Sequence, residues 1–146
     1  MKFPKTEIQK IRKTGAVPFV RFMPRSNETL NEENQFKKEK KFSLQNIIDG
    51  KFDKALKLWA EDAIKDNIPL LVDFGVEPNG NWFSWSGVFN GGSTRNEYGD
   101  ENYPDGAERY RDAYRHIITL FKEVGVRHIT WFFHFNYVSF PNEEWN

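Results

Sequence analysis

Three short apolar segments, separated by longer polar and amphipathic stretches, divide the chain. Residues 16–24 are apolar and rich in β-branched side chains, residues 68–74 form a continuous apolar run, and residues 129–136 form a third. Short apolar runs bounded by Gly, Pro or Asn are typical of strands that are buried on both faces. The pattern therefore predicts three strands.

Two amphipathic segments lie between these strands. Within residues 52–64 the apolar side chains recur at helical spacing while lysine and glutamate residues face away. Asn67 is predicted to end this helix. The second helix is predicted to begin with a capping box, in which Asp105 and Glu108 satisfy the first N–H groups, and to end at Gly125.

The remaining segments predict connections. Residues 25–42 are polar and rich in Lys, Glu and Asn, which predicts a solvated loop, and residues 43–50 predict a short helical turn. Residues 75–104 are predicted to form a long loop between the second strand and the second main helix.

The order strand, helix, strand, helix, strand is typical of right-handed βαβ units, and predicts an α/β fold with about three parallel strands. Two architectures fit it: an open doubly wound sheet, or part of a (β/α)8 TIM barrel. No glycine-rich phosphate loop follows any predicted strand, which argues against nucleotide binding. Periodicity alone leaves both architectures open.

The composition narrows the classes of partner. Lys plus Arg and Asp plus Glu both count 21, so charge indicates neither nucleic acid nor a membrane surface as partner. Cysteine is absent and the three histidines form no HxxxH pair, so no metal site of that kind and no cofactor are predicted. Aromatic residues make up 16% of the chain, which suits stacking against sugar rings and equally suits a bulky core.

The loop after the second strand carries the candidate chemistry, because ligands of parallel α/β proteins bind at the carboxyl ends of the strands. Glu77 is a carboxyl group in an apolar, aromatic setting that suits a general acid. Trp82 and Trp85 could present indole faces to a sugar ring, and Asn79 and Asn81 offer amide groups to hydroxyls. An ordinary loop carboxylate beside tryptophans that only pack is the alternative interpretation.

Residues at the other strand ends are further candidates for substrate binding. Arg21 could bind sugar hydroxyls or orient Glu77, and a purely structural ion pair fits equally well. His134 and Asn136 lie at the end of the third strand, where alternation places them on one face. They are predicted either to contact substrate or to make buried structural hydrogen bonds.

An acidic group in the long loop has the spacing of a weak calcium loop: Asp100, Asn102 and Asp105. It lacks the matching glycine and the distal glutamate of such loops, so capping explains Asp105 better, and no metal site is predicted.

Residues 77–85 read EPNGNWFSW, which resembles the Glu-x-Asn-Gly-x-Trp-x-x-Trp signature of glycoside hydrolase family 26, the β-mannanase-like enzymes. The similarity continues, in the same order along the chain, through residues 17–24, 98–100, 105–117 and 130–136. It therefore covers most of the chain.

This resemblance implies a (β/α)8-barrel enzyme that hydrolyses β-linked polysaccharide with retention, through two carboxylates. Glu77 matches the family's acid/base at the end of the fourth strand. The three strands would then be the third to fifth of the barrel, and residues 1–146 a single partial catalytic domain. Many members place His or Asn before that glutamate where this chain has Val76, which implies a divergent substrate contact.

The family's nucleophile follows the seventh strand, and no residue of this chain matches it; Glu143 and Glu144, in a polar tail, are poor candidates. Three parallel strands cannot close a barrel, so we expect a truncated barrel that self-associates through exposed edges. The resemblance implies a secreted or cell-surface enzyme, although residues 1–5 do not begin a secretory signal. A non-catalytic carbohydrate-binding α/β protein and a structural or partner-binding one remain alternatives.

Overall fold

A computed structural model describes residues 2–26, 39–144 and 146 of the chain. Within these residues, four helices, three strands and one 3-10 turn follow one another in this order: α1 (Lys5–Lys13), β1 (Phe19–Phe22), α2 (Leu44–Ile48), α3 (Asp53–Asp66), β2 (Leu70–Phe74), the turn Gly87–Phe89, α4 (Asp105–Val124) and β3 (Ile129–Phe132). Helix α1 was not predicted from the sequence pattern. Of the predicted polar loop 25–42, residues 27–38 lie outside the described residues.

The three strands form one parallel sheet in the order β1-β2-β3. The prediction of three parallel strands with helices between them is therefore confirmed. The strands are shorter than predicted: β3 ends at Phe132, so residues 133–136 continue without strand pairing. The register sets Arg21 of β1 opposite Asp73 of β2, and Asp73 opposite Phe132 of β3.

The aromatic core lies between one face of the sheet and the helices. Phe22 of β1 contacts Trp59 of α3 at 5.0 Å and Phe121 of α4 at 6.1 Å between ring centroids. Phe74 of β2 stacks on Tyr110 of α4 at 5.8 Å. Because α3 and α4 also pack against each other, both crossover helices cover the same face of the sheet.

The opposite face carries the alternate residues of each strand. Phe19 is 43% exposed, packs on Phe132 at 5.4 Å between ring centroids, and has the exposed Arg21 as a neighbour on the same face. Asp73 lies in the middle of this face but is buried. Among the described residues, this face is therefore largely open, apart from the cluster around Asp73.

The helix ends are only partly as predicted. Asn67 and Gly125 end α3 and α4 in the left-handed conformation, with φ of 48° and 98°, which confirms both predicted ends. At the start of α2, Ser43 accepts a hydrogen bond from the Asn46 N–H.

The predicted capping box of α4 is wrong. Pro104 is the N-cap and makes no side-chain cap. Asp105 is already helical, and its carboxylate accepts from the Thr94 hydroxyl at 2.6 Å. Glu108 accepts from the Asp100 N–H at 2.8 Å. Both buried carboxylates therefore bind the preceding loop rather than the first N–H groups of their own helix.

No helix in the described part of the chain combines the length and apolar character needed to span a membrane.

Candidate functional site at the carboxyl ends of the strands

Glu77 lies three residues beyond the end of β2, in an unusual backbone conformation. Its φ is 54°, in the left-handed region that a non-glycine residue enters at a cost of about 1 kcal/mol. Two hydrogen bonds hold it there: the Glu77 N–H donates to the His134 carbonyl at 2.7 Å, and the Glu77 carbonyl accepts from the Gly80 N–H at 3.1 Å. The turn thereby fixes Glu77 against the end of the neighbouring strand.

The Glu77 side chain is held by Trp82. The indole N–H donates to Oε2 of Glu77 at 2.9 Å. The indole lies over Gly80, where a Cβ atom would come within 2.4 Å of the ring. Phe140 packs against the indole with 5.8 Å between ring centroids. One carboxylate oxygen is thus fixed, and the other has no hydrogen-bond partner among the described residues.

Trp85 is buried and does not face the position proposed for a sugar. Its side chain is 2% exposed, its N–H donates to the Val76 carbonyl at 2.8 Å, and its ring stacks on Phe83 at 4.4 Å between centroids. The ring therefore supports the loop from inside and exposes no face to a ligand.

Asn79 and Asn136 are brought together, but the Asn79 side chain is bound to the Asn136 backbone. The Asn79 amide donates to the Asn136 carbonyl at 3.0 Å and to the Ser139 hydroxyl at 3.1 Å, and its oxygen accepts from the Asn136 N–H at 2.9 Å. The Asn136 oxygen accepts from the Val138 N–H. The Asn79 side chain hence fastens residues 136–139 to the Glu77 loop, and the Asn136 side chain stabilises a turn within that segment.

Arg21 and His134 meet around a buried carboxylate that the sequence analysis did not single out. Arg21 Nη2 lies 3.1 Å from His134 Nδ1, and Arg21 Nε lies 3.3 Å from Asp73 Oδ2. The Asp73 side chain is 1% exposed, and neither oxygen has a hydrogen-bond partner in the part of the chain that the structure describes. Burial raises the pKa of the Asp73 carboxyl, and the Arg21 guanidinium and the His134 ring only partly oppose this rise.

The raised pKa of Asp73 predicts an effect of pH on stability. Because this pKa is higher in the folded chain than in the unfolded chain, folding loses stability as the pH rises through it. The melting temperature of Asp73→Asn minus that of the parent chain should therefore be more positive at neutral pH than in acid. Arg21 loses its partner in this variant but stays half-exposed to water. Thermal melts followed by circular dichroism across the acid-to-neutral range measure this difference.

Asp62→Asn provides the matched control, because Asp62 is an exposed carboxylate paired with Lys65. The difference in melting temperature between Asp62→Asn and the parent chain should vary much less with pH. If the difference in melting temperature between Asp73→Asn and the parent chain stays constant across this pH range, burial does not raise the pKa of Asp73 as inferred.

The structure thus joins the predicted residues into two groups linked by His134. One group contains Glu77 and Trp82, and the other contains Arg21, Asp73 and the His134 ring. The His134 carbonyl belongs to the first group through its bond to Glu77. Within the described ranges, no group of three or more His, Asp or Glu side chains is arranged to hold a metal ion.

Comparison with known proteins leaves the site to be interpreted from its geometry. No protein-family model matches the chain, and no curated protein matches its sequence.

Proposed function

We propose that this chain is part of a retaining glycoside hydrolase that acts on β-linked polysaccharide such as β-mannan, with Glu77 as the general acid/base. The observation that carries this proposal is the setting of Glu77. It lies just beyond the carboxyl end of a parallel strand, in a left-handed conformation, with one oxygen held by an indole N–H. Backbone strain of this kind concentrates at functional sites.

The geometry suits proton transfer in both directions. Glu77 would protonate the departing glycosidic oxygen and would later deprotonate the water that releases the glycosyl-enzyme. Trp82 occupies only Oε2, so Oε1 can carry the proton in the first step. Once that proton has been transferred, the indole N–H stabilises the Glu77 carboxylate, which then acts as the base in the second step.

The proposed architecture is a partial (β/α)8 barrel in which β1 to β3 are the third to fifth strands. Sequential strand order and crossover helices on one face are what three consecutive barrel strands have. The open face would then be the barrel interior. Arg21 and Asp73 project from it near the strand ends, where barrel enzymes bind their substrates.

The alternative function is a carbohydrate-binding protein without catalysis. It is favoured by one observation: none of the hydrogen bonds or ion pairs within the described ranges brings a second acidic residue to the Glu77 carboxylate. Both functions predict a sugar site at Trp82, and the two differ in whether Glu77 transfers a proton.

Titration with a β-1,4-linked manno-oligosaccharide, followed by tryptophan fluorescence, tests the sugar site. Trp82→Ala should weaken binding about tenfold, since the lost indole contact amounts to about 1.4 kcal/mol. Tyr103→Ala is the control, because Tyr103 is an exposed ring at the far end of the same loop and makes no hydrogen bond or ring contact with Glu77 or Trp82 among the described residues. Parent and Trp82→Ala chains of equal affinity, or a parent chain that binds no β-linked oligosaccharide, would contradict the proposal.

The open sheet face also predicts self-association, with a second copy of the chain as partner. Phe19, which is part of this face, is the residue to change. Phe19→Lys should reduce the concentration dependence of the sedimentation coefficient, because a charge there opposes apolar contact between copies. Leu58→Lys is the control, since Leu58 is exposed on helix α3. A parent chain that stays a monodisperse monomer at all concentrations would contradict this expectation.

A further inference from the structure

The contact between Arg21 and His134 determines where the imidazole carries its proton. Arg21 Nη2 lies 3.1 Å from Nδ1 of His134, which is hydrogen-bond distance. A guanidinium group can only donate hydrogen bonds. Nδ1 must therefore be the acceptor, and an accepting ring nitrogen carries no proton. The proton of a neutral His134 ring is then on Nε2.

The position of Asp73 agrees with this assignment. His134 Nδ1 lies 3.6 Å from Asp73 Oδ2, which is too long for a hydrogen bond. A protonated Nδ1 would be expected to approach this buried carboxylate, which accepts no hydrogen bond from any other described residue. Asp73 instead pairs with Arg21 Nε at 3.3 Å. The carboxylate thus anchors the guanidinium, and the guanidinium in turn fixes the ring.

The doubly protonated form of His134 fits the same geometry poorly. It would set an Nδ1–H donor against an Nη2–H donor at 3.1 Å, and it would place two cations in contact. One buried carboxylate, Asp73, would then have to balance both charges. The guanidinium group delocalises its charge and stays protonated, so Arg21 is the more permanent cation of the two.

The Nε2 atom of His134 is free for a ligand. It has no hydrogen-bond partner among the described residues, and the His134 side chain is 39% exposed. The ring projects from the residue whose carbonyl accepts the Glu77 N–H at 2.7 Å. An N–H donor and the proposed acid/base are therefore carried by two neighbouring segments that this backbone hydrogen bond joins.

We propose that Arg21 and Asp73 hold His134 as a neutral imidazole with its proton on Nε2, and that this N–H donates to a hydroxyl group of the saccharide bound at Glu77. The second part rests on the proposed function. By sequence alone, Arg21 and His134 fit a structural role and a substrate-binding role equally well. This assignment makes Arg21 and Asp73 positioning residues, and makes His134 the residue that contacts the sugar.

The tautomer can be measured on the whole chain by ¹⁵N NMR of the imidazole rings at neutral pH. The chain has three histidines, and His134→Gln identifies the signals of interest. We expect Nε2 of His134 to be protonated and Nδ1 to be a bare acceptor. Arg21→Met should abolish this single state and move the proton toward Nδ1, where the Asp73 carboxylate can accept it.

A parent chain with a proton on Nδ1, or an Arg21→Met spectrum unchanged from the parent, overturns the assignment. Circular dichroism establishes whether Arg21→Met is folded. If it is not, the parent spectrum alone decides the tautomer.

Addition of a β-1,4-linked manno-oligosaccharide tests the contact with the sugar, with the Trp82 indole N–H observed in the same sample. Shifts of both the His134 Nε2–H and the Trp82 signals support the inference. A shift of the Trp82 signal with no shift of the His134 Nε2–H signal overturns the inference and leaves the proposed sugar site in place. If neither signal shifts, both the hydrogen bond to the sugar and the proposed function are contradicted.

Discussion

Glu77→Gln is expected to lower glycosyl transfer from an aryl β-mannoside to azide at least about 100-fold, the lower end of what a positioned general acid contributes. Azide takes the place of the nucleophile, because no acid of this chain is assigned that role. It attacks the anomeric carbon and forms a C–N bond while the C–O bond to the phenol breaks. Glu77 supplies the proton that the departing phenol oxygen needs, and recovers one from water.

The substitution leaves the surroundings of the side chain in place. A glutamine at position 77 keeps an oxygen that can accept the Trp82 N–H but has no proton to transfer. The phenol must be a poor leaving group, since a strongly activated one departs without an acid. Glycosyl azide formation is measured by chromatography, with Glu123→Gln, an exposed carboxylate on α4, as the control.

Three results bear on the assignment of roles. Equal rates in the parent chain and in Glu77→Gln would contradict general acid catalysis by Glu77. Unchanged oligosaccharide binding in a chain that transfers no glycosyl group would favour the non-catalytic alternative. Without azide we expect no more than trace hydrolysis, and robust hydrolysis by the parent chain would refute the division of roles between this chain and an external nucleophile.

The parts of the fold that could be predicted are those in which neighbours in sequence determine the structure. The apolar runs specified the three strands, and helical spacing specified α3 and α4. Asn67 and Gly125 ended these helices because both tolerate the left-handed conformation that a helix end requires. The contact between Glu77 and Trp82 spans only five residues, so a local motif could indicate it.

What could not be predicted depends on contacts that are distant in sequence. Asp73 is important because the strand register brings Arg21 to it from β1 and brings His134 to it from the segment that follows β3. The usable signal was a single charged residue inside an apolar strand. Asp105 looked like a helix cap because sequence spacing shows nothing of a loop that folds back and offers its own N–H and O–H donors.

The same distinction separates the two tryptophans of the motif. Trp82 and Trp85 are three residues apart in one aromatic loop, and composition gives them equal weight. The structure gives them opposite environments: Trp85 is buried against Phe83, and Trp82 reaches Glu77. Which ring is buried depends on how the whole loop packs against β2 and α4, and this information is not in the motif.

Gly106→Ala is expected to lower the free energy of unfolding by about 2 to 3 kcal/mol and the melting temperature by roughly 5 to 10 °C. Gly106 is the second residue of α4, and its φ is ordinary, so the effect is steric. An added Cβ atom would lie 2.3 Å from the Gly87 carbonyl oxygen and 2.8 Å from the Gly92 nitrogen. Both are backbone atoms, which cannot turn aside as a flexible side chain can.

The displacement should also reach the proposed site. The Gly87 N–H donates to the Pro78 carbonyl at 3.1 Å, and Pro78 follows Glu77 directly. Pushing Gly87 away from α4 therefore moves the segment that holds Glu77 against the His134 carbonyl. We expect the Trp82 indole N–H signal to shift in Gly106→Ala, even at temperatures where the chain remains folded.

Ala107→Ser is the matched control, because it adds one heavy atom one residue further along the same helix turn, where the side chain is exposed. It should change the melting temperature by less than about 2 °C, as surface substitutions usually do. If Gly106→Ala and Ala107→Ser have the same melting temperature, the start of α4 does not press on the Glu77 loop. If it melts early but leaves the Trp82 signal unmoved, that close contact stabilises the fold without setting the geometry of the proposed acid.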